Sequence, residues 1–268
     1  PQRMKNVVEL IADGEQNMVV LSAMSGTTNS LLEIADYLYK QNQEGANACI
    51  NKLEDKYKVH IDELYSTDEY KHQTNLIVQK VFNEIRLQTK GAFTAKEEKI
   101  IVAQGEMMST NMMTNYLLEK GHKVALIPAL EYMRTNEDCE PDLKYIQDHL
   151  KQQLALYPDA EIIITQGFIC LNHAGEIDNL KRGGSDYTAS LVGGAIEASE
   201  IQIWTDIDGM HNNDPRFVEN TTPVGHLHFD EAAELAYFGA KILHPTCILP
   251  AKYANVPVKL LNTMDPTA

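Results

Sequence analysis

The chain has 268 residues, 44% of them hydrophobic, and a formal net charge of -15. This length and composition fit one large globular α/β domain or two small ones. The negative charge disfavours a nucleic-acid or anionic-membrane partner, because phosphate polymers would be repelled at long range. A small anionic substrate would therefore have to be attracted by a local cluster of cations.

The spacing of the cysteines indicates a reducing compartment, in which they stay thiols. The chain shows no paired cysteine spacing, signal peptide or long apolar span. We therefore expect a cytoplasmic location in which each cysteine is a small buried hydrophobic residue. The four cysteines are Cys49, Cys139, Cys170 and Cys247.

The first half of the chain is predicted to be mostly helical. Periodicity indicates a helix over residues 2–12, a compact buried strand over 18–22, a polar glycine-containing loop over 23–29 and a helix over 30–40. Because the chain begins on a helix leading into a core strand, we expect a first strand to be absent. A long helical run follows, with amphipathic segments near 48–64, 74–89 and 95–118.

The second half alternates strands and helices. Strands are predicted over 123–127 and 161–165, with a helix over 142–156 between them. This order predicts a parallel sheet with right-handed crossovers, and residues 172–176 indicate an antiparallel hairpin beside it. The remaining predictions are a helix from 187, a buried strand over 201–204, helices over 228–238 and 246–254, and a final strand over 258–261.

Two segments carry the chemistry. Residues 181–186 place positive charge, two glycines, a hydroxyl and a carboxylate before a helix, where backbone amides can face an anion. Alone, this segment fits an ordinary glycine-rich turn with a capped helix equally well. The strand over 201–204 delivers Thr205 and Asp206 at its carboxyl end, where open α/β sheets bind ligands. Together the two segments indicate a phosphate-handling active site.

Charged residues in these segments are the candidates for that work. Arg182 and Lys241 lie in glycine-flanked stretches, where a cation can reach a phosphate or carboxylate, although solvated surface charge is the alternative. Asp186, Asp206 and Asp208 are candidates to hold magnesium or orient the reacting groups, and loop capping is their alternative.

Glu106 interrupts an otherwise apolar, methionine-rich helix. A buried carboxylate there would need a partner cation or the ammonium group of a ligand, whereas an exposed carboxylate would need neither. Both alternatives stay open at this point. The histidines lack metal-ligand spacing and are interpreted as structural: His226, His228 and His244.

Five ordered motifs resemble the catalytic domain of aspartate kinases, within the amino-acid kinase superfamily. They occupy residues 22–29, 105–106, 182–186, 204–216 and 238–245. The resemblance covers nearly the whole chain. It implies a three-layer α/β/α sandwich around a mainly parallel open sheet of about eight strands. It also implies that residues 1–180 bind aspartate and that residues 181–268 bind ATP.

The resemblance further implies a reaction. The side-chain carboxylate of L-aspartate attacks the γ-phosphate of ATP, giving 4-phospho-L-aspartate and ADP in the first step of lysine, threonine and methionine biosynthesis. A carboxylate is already ionised at neutral pH, so no general base is required. Mg²⁺ is expected to bridge phosphate oxygens, and its protein ligands stay open.

Individual roles are likewise implied by the resemblance. Asp186 would organise the transfer between substrate and phosphates, Glu106 would take the aspartate ammonium, and Arg182 would grip the α-carboxylate with Ser185 alongside. The other residues implied at the substrate are Ser22, Thr28, Phe168, Gly183 and Gly184. Those implied at the nucleotide are Thr205, Asp206, His211, Asp214, Arg216, Lys241 and Ile242.

The chain also departs from the pattern of that family. His211 stands where a tyrosine is usual, and Lys181 replaces a common glycine. The family's opening strand with its lysine-bearing glycine-rich loop, and its carboxyl-terminal ACT domains, are expected to be absent from this chain. A homo-oligomer is possible, with the ACT-mediated interface missing.

The sequence leaves two other functions open. One is a different amino-acid kinase, acting on glutamate or acetylglutamate, which the long helical run over 46–118 and the Gly105–Glu106 motif disfavour. The other is a non-catalytic amino-acid-binding module, which the expected absence of the lysine-bearing loop favours.

Overall fold

The computed structural model describes residues 1–181, 183–206, 209–213, 217–238 and 244–266. Several predicted site residues lie outside the described residues: Arg182, Asp208, Asp214, Arg216, Lys241 and Ile242.

The predicted elements are present, with ends that shift by a few residues. The helices are α1 Gln2–Ile11, α2 Thr27–Tyr39, α3 Gln43–Leu64, α4 Asp68–Gln88, α5 Ala95–Glu119, α6 Leu143–Leu154, α7 Gly184–Ala195, α8 Phe229–Phe238 and α9 Pro245–Ala254. The strands are β1 Asn17–Leu21, β2 Val124–Leu126, β3 Ile162–Gln166, β4 Ile169–Leu171, β5 Ile177–Asn179, β6 Ile201–Thr205 and β7 Val258–Asn262.

The sheet pairing confirms the predicted parallel core and the hairpin beside it. Strands β1, β3 and β2 form a parallel sheet in that order, β6 pairs with β7 in parallel, and β4 pairs with β5 in antiparallel. The expected single sheet of about eight strands is not reached. Within the described ranges seven strands form three separate sheets, because no hydrogen-bonded ladder there joins the β1 edge to β6 or β7.

Helices cover both faces of the β1–β3–β2 sheet. Side chains alternate along a strand, so Ile162 and Ile164 pack into a cluster with residues of α2 to α5, while Ile163 points the other way. Ile163 lies in a second cluster with Leu150 of α6 and Leu191 of α7. The three-layer α/β/α architecture is therefore confirmed.

Helices α7 and α9 are in unusually close contact. Gly194 leaves room for the neighbouring helix, since a Cβ there would lie 3.1 Å from the carbonyl oxygen of Pro250. Pro250 lies inside α9 and cannot donate a backbone hydrogen bond. One residue later, the Ala251 N–H donates to Ser190 Oγ of α7 at 3.2 Å. A hydroxyl from the neighbouring helix thus supports the turn that the proline disturbs.

The long helices α3, α4 and α5 form a bundle that is also joined at its ends. Glu119, at the end of α5, accepts hydrogen bonds from the Ser66 and Thr67 N–H groups at 2.9 and 2.8 Å, just before α4 begins. Burial raises the pKa of Glu119, but these hydrogen bonds outweigh burial and hold the pKa below its ordinary value. Glu119 therefore acts as a helix cap from another helix.

The cysteine prediction was correct for two residues and wrong for two. Cys170 and Cys247 are buried, but Cys49 is half-buried and Cys139 is exposed. Cys139 lies in a loop with a left-handed φ of 62°, where the turn directs it away from the core. Within the described ranges, no helix has both the length and the apolar character needed to cross a bilayer.

Candidate active site

The carboxyl ends of β1 and β3 meet the first turn of α7. Ser22 follows β1, and its hydroxyl donates to Ser185 Oγ of α7 at 2.7 Å. Gly167 follows β3, and its N–H donates to the Leu21 carbonyl at 2.9 Å. A Cβ on Gly167 would lie 2.9 Å from the Ser185 Cα, so glycine is needed for α7 to approach the strand ends. Gly167 was not predicted as a site residue.

Glu106 enters this site from α5. The preceding Gly105 allows the approach, since a Cβ there would lie 2.8 Å from the Ala23 Cβ. Glu106 is 3% exposed, and its Oε1 accepts a hydrogen bond from the Ala23 N–H at 3.2 Å. Its Oε2 is buried, and among the described residues it has neither a hydrogen-bond partner nor an ion pair. The choice that the sequence left open is therefore settled: Glu106 is buried.

The electrostatics of Glu106 favour a positively charged ligand. Burial raises the pKa of Glu106 to about 7, and the hydrogen bond from Ala23 offsets this only in part. A buried acceptor without a donor is costly, and a cation placed against it would remove that cost and favour ionisation. An amino acid's ammonium group has the required charge and donors.

The start of α7 is shaped by two glycines. Gly183, at the amino-terminal cap, has a left-handed φ of 87°, and a Cβ there would overlap the sulfur of Cys247 in α9. Gly184 begins the helix with φ 47°. Asp186 is half-buried in the first turn, where burial raises the pKa of its carboxyl group. The two glycines and the half-buried carboxylate thus lie where the motif predicted them, at a helix amino terminus.

Phe168 and Thr28 are the other predicted substrate residues that the structure describes. Phe168 adopts a left-handed φ of 68°, and its N–H donates to Thr188 Oγ1 of α7 at 2.9 Å. Thr28 is half-buried in the first turn of α2, and its hydroxyl has no hydrogen-bond partner among the described residues. Their place beside the substrate stays a prediction.

The predicted nucleotide residues lie elsewhere. Thr205 ends β6, and its hydroxyl contacts the exposed carboxylate of Asp206 at 3.3 Å. His211 Nδ1 lies 3.0 Å from Thr221 Oγ1. In the part of the chain that is described, no hydrogen bond joins these residues to Ser22, Ser185 or Glu106. Helix α7 nevertheless packs against both β1 and β6, so it lies between the two regions.

The described residues offer few ligands for a metal ion. They contain no group of three or more His, Cys, Asp or Glu side chains that could hold one. Asp186 and Asp206 provide the hard oxygen donors that Mg²⁺ prefers, but as separate carboxylates. Mg²⁺ usually combines one or two carboxylates with substrate phosphates and water, and these residues fit that use.

Comparison with known proteins agrees with the fold and the motifs. The model of the amino acid kinase family matches residues 1–262. The chain belongs to the amino acid kinase family. Its fold and its superfamily were therefore predicted correctly from sequence.

Within the amino acid kinase family, the chain is similar to several aspartokinases. The lysine-sensitive aspartokinase 3 of Escherichia coli is 32% identical, covering 97% of this chain and 58% of that protein. The chloroplastic aspartokinase 3 of Arabidopsis thaliana is 33% identical, covering 100% of this chain and 49% of that protein. The crystal structure of E. coli aspartokinase III in complex with aspartate and ADP aligns with a TM-score of 0.85 and 30% identity, covering 99% of this chain and 59% of that one. The chain thus spans about half the length of the curated relatives it matches.

Proposed function

We propose that this amino acid kinase is an aspartate kinase, which transfers the γ-phosphate of ATP to the side-chain carboxylate of L-aspartate. The observation that carries the proposal is the buried Oε2 of Glu106, which has no hydrogen-bond partner in the described part of the chain and lies beside the loop that follows β1. Such a group suits the ammonium of an amino acid and would be a costly feature in a kinase whose acceptor lacks one. The related aspartokinase III structure, which holds aspartate and ADP, supports the same choice.

The substrate side of the mechanism follows from these groups. The ammonium of aspartate would pair with Glu106. Burial raises the pKa of Glu106 to about 7, and the positive charge of the ammonium would lower it again and keep Glu106 ionised. The hydroxyls of Ser22 and Ser185, with Thr28 and Phe168 at the edges, would line the same space. Arg182 is proposed to bind the α-carboxylate, as a bidentate donor suited to that group. The attacking side-chain carboxylate is ionised at neutral pH and needs no base.

Phosphoryl transfer requires charge neutralisation and an in-line arrangement more than covalent help. The amino terminus of α7, with Gly183 and Gly184, would present backbone N–H groups to the moving phosphoryl group, and Asp186 would lie between the two substrates. Mg²⁺, when bound to the phosphates, would neutralise developing charge, with Asp186 and Asp206 as its candidate protein ligands. ATP is proposed to bind residues 181–268, through Thr205, Asp206, His211, Asp214, Arg216, Lys241 and Ile242.

The proposal also includes the cellular location, the metabolic step and the oligomeric state of the protein. A reducing cytoplasmic location is supported by four cysteines that are all free thiols. The place in metabolism would be the first step toward lysine, threonine and methionine. A homo-oligomer and the division into an aspartate half, 1–180, and a nucleotide half, 181–268, remain proposals drawn from the resemblance.

The decisive experiment measures ATP-dependent hydroxamate formation by the natural full-length protein. Aspartate, glutamate and N-acetylglutamate are compared at equal concentration, and we expect product from aspartate only. Equal rates with glutamate would contradict the proposal. Tight binding of aspartate without ADP release would instead favour a non-catalytic amino-acid-binding module.

A further inference from the structure

Three buried polar side chains surround the backbone of Glu106. Ser109 and Thr110 belong to α5, and Gln166 ends β3; they are 4%, 0% and 1% exposed. Polar groups buried this deeply are stable only when their hydrogen bonds are satisfied. We call Ser109, Thr110 and Gln166 the polar clamp.

One half of the polar clamp connects Glu106 to β3. The Thr110 hydroxyl donates to the Glu106 carbonyl at 2.7 Å and accepts from Gln166 Nε2 at 2.8 Å. Gln166 Oε1 accepts from the Ala129 N–H at 2.7 Å, which fixes the orientation of its amide because only the oxygen can accept. A continuous chain of hydrogen bonds therefore runs from the loop after β2, through the end of β3, to Glu106.

The other half connects Glu106 to β1. The Ser109 hydroxyl lies 2.8 Å from the Ser22 carbonyl and 3.2 Å from the Glu106 carbonyl, so its one hydrogen is shared between two acceptors. Ser22 also bonds Ser185 of α7. The polar clamp thus joins Glu106 to the strand ends and helix start that form the rest of the site.

We propose that the polar clamp positions Glu106 for the ammonium group of an amino-acid substrate. Ser109, Thr110 and Gln166 do not contact the substrate in this proposal; they fix the α5 backbone so that the Glu106 carboxylate faces the loop after β1. The proposal rests on the proposed function, because it assumes that Glu106 receives an ammonium group. Among the described residues, Ala23 alone donates a hydrogen bond to the Glu106 carboxylate from another position, at 3.2 Å, so the carboxylate depends on its backbone for orientation.

Helix α5 offers a matched control. Thr114 is 8% exposed, and its hydroxyl donates to the Thr110 carbonyl at 2.8 Å, which is the same type of bond one turn further on. Among the described residues, its hydroxyl has no link to β1, β3 or Glu106. Removing the Thr114 hydroxyl should therefore affect the helix alone.

The test compares two ligands on the natural full-length protein. Calorimetric titrations measure the affinity for L-aspartate and for succinate, the same dicarboxylate without the amino group. In Thr110→Val and Gln166→Met, we expect the affinity for aspartate to fall about 5- to 10-fold while that for succinate changes less than about 2-fold. In Thr114→Val neither affinity should change. Equal losses for both ligands, or a Thr114→Val variant that behaves like Thr110→Val, would overturn the proposal.

Two milder variants carry the test if those proteins fold poorly. Thr110→Ser keeps the hydroxyl and should bind both ligands as the wild type does. Gln166→Glu keeps the shape but replaces the amide donor by an acceptor, which draws the Thr110 hydrogen away from Glu106 and should lower the aspartate affinity alone. Loss of aspartate selectivity in Thr110→Ser, or its retention in Gln166→Glu, would reject the polar clamp. A wild-type protein that binds succinate as well as aspartate would instead reject the proposed function.

Discussion

The two sides of the proposed site are built in different ways. On the substrate side, side-chain hydrogen bonds join residues far apart in sequence, such as Ser22 with Ser185 and the Ala23 N–H with Glu106. On the nucleotide side, the predicted residues that are described contact side chains one and ten positions away, as between Thr205 and Asp206 and between His211 and Thr221. In the proposed site, amino-acid recognition would thus be tied to the folded core, and a change there should alter affinity and stability together. Four predictions test this contrast.

The largest effect is expected from Glu106→Gln. The neutral amide cannot neutralise an ammonium group, so the affinity for aspartate should fall about 100- to 1000-fold, or about 3–4 kcal/mol, while the KM for ATP stays within about 2-fold. Steady-state kinetics with each substrate varied in turn measure both constants.

Glu119→Gln is the matched control for that variant. Glu119 is a second carboxylate of α5 with a buried oxygen that lacks a hydrogen bond, but this oxygen lies 3.6 Å from Lys120 Nζ and the other oxygen caps α4. This change should lower the free energy of unfolding by about 1–2 kcal/mol and leave the aspartate affinity unchanged. Similar losses of affinity in the two variants would show that burial, not ammonium binding, explains Glu106.

Gly183→Ala should have the largest effect on stability. The alanine would have to keep the left-handed φ of this position, and its Cβ would overlap the sulfur of Cys247. The combined cost should be about 3–4 kcal/mol. Gly175→Ala has a similar φ of 79° but nothing within 4 Å, so it should cost only about 1 kcal/mol. Urea unfolding of both variants separates the backbone cost from the contact with α9. Equal costs would mean that the α7–α9 contact tolerates the methyl group.

Stability of the ligand-free protein should fall as the pH rises from about 4.5 to about 7. Burial raises the pKa of Glu106 from 4.5 to about 7, so the folded protein holds this proton more tightly than the unfolded chain does. The contribution is complete below pH 4.5 and is lost above pH 7, a change of about 3 kcal/mol. The difference in unfolding free energy between wild type and Glu106→Gln, measured from pH 4 to 8, should follow this course. Parallel curves would show that Glu106 does not titrate there.

The smallest effect is expected from Lys181→Gly. Lys181 is exposed and has a left-handed φ of 55°, so glycine should add about 0.5 kcal/mol of stability. Glu197→Gly, with φ 51° after α7, should add the same amount. Only Lys181→Gly removes a positive charge beside the phosphate loop, so it alone should raise KM values, by about 2- to 3-fold. Unchanged kinetics would show that the Lys181 charge does not reach the substrates.

Sequence predicted the elements well because its signals are local. The run Ile162–Gln166 is apolar up to its end, and Asn172–Glu176 carries a glycine turn, so strand β3 and the β4–β5 hairpin were expected where they lie. A single sheet of about eight strands is not confirmed in the described part of the chain, since pairing depends on partners far along the chain. Burial of Cys139 was wrong for a similar reason, because its loop decides its direction.

The site shows the same division. Motif order identified Ser22, Glu106 and Ser185, which the structure brings together. The roles of Gly167 and the polar clamp were missed, because each depends on a contact between elements that are distant in sequence. A signal was present: Ser109 and Thr110 interrupt the apolar face of α5, and Gln166 ends a strand of isoleucines.

The hydrogen bond from the Ala251 N–H to Ser190 Oγ should link the residues found at positions 190 and 250 in related sequences. Pro250 disturbs the hydrogen bonding of α9, and the Ser190 hydroxyl compensates by accepting a hydrogen bond from the next residue. Without that proline, the hydroxyl would be a buried polar group with no such role. Natural sequences related to this one should therefore exchange both positions together or neither. Lineages that retain Pro250 should restrict position 190 to serine and other small residues that can accept a hydrogen bond.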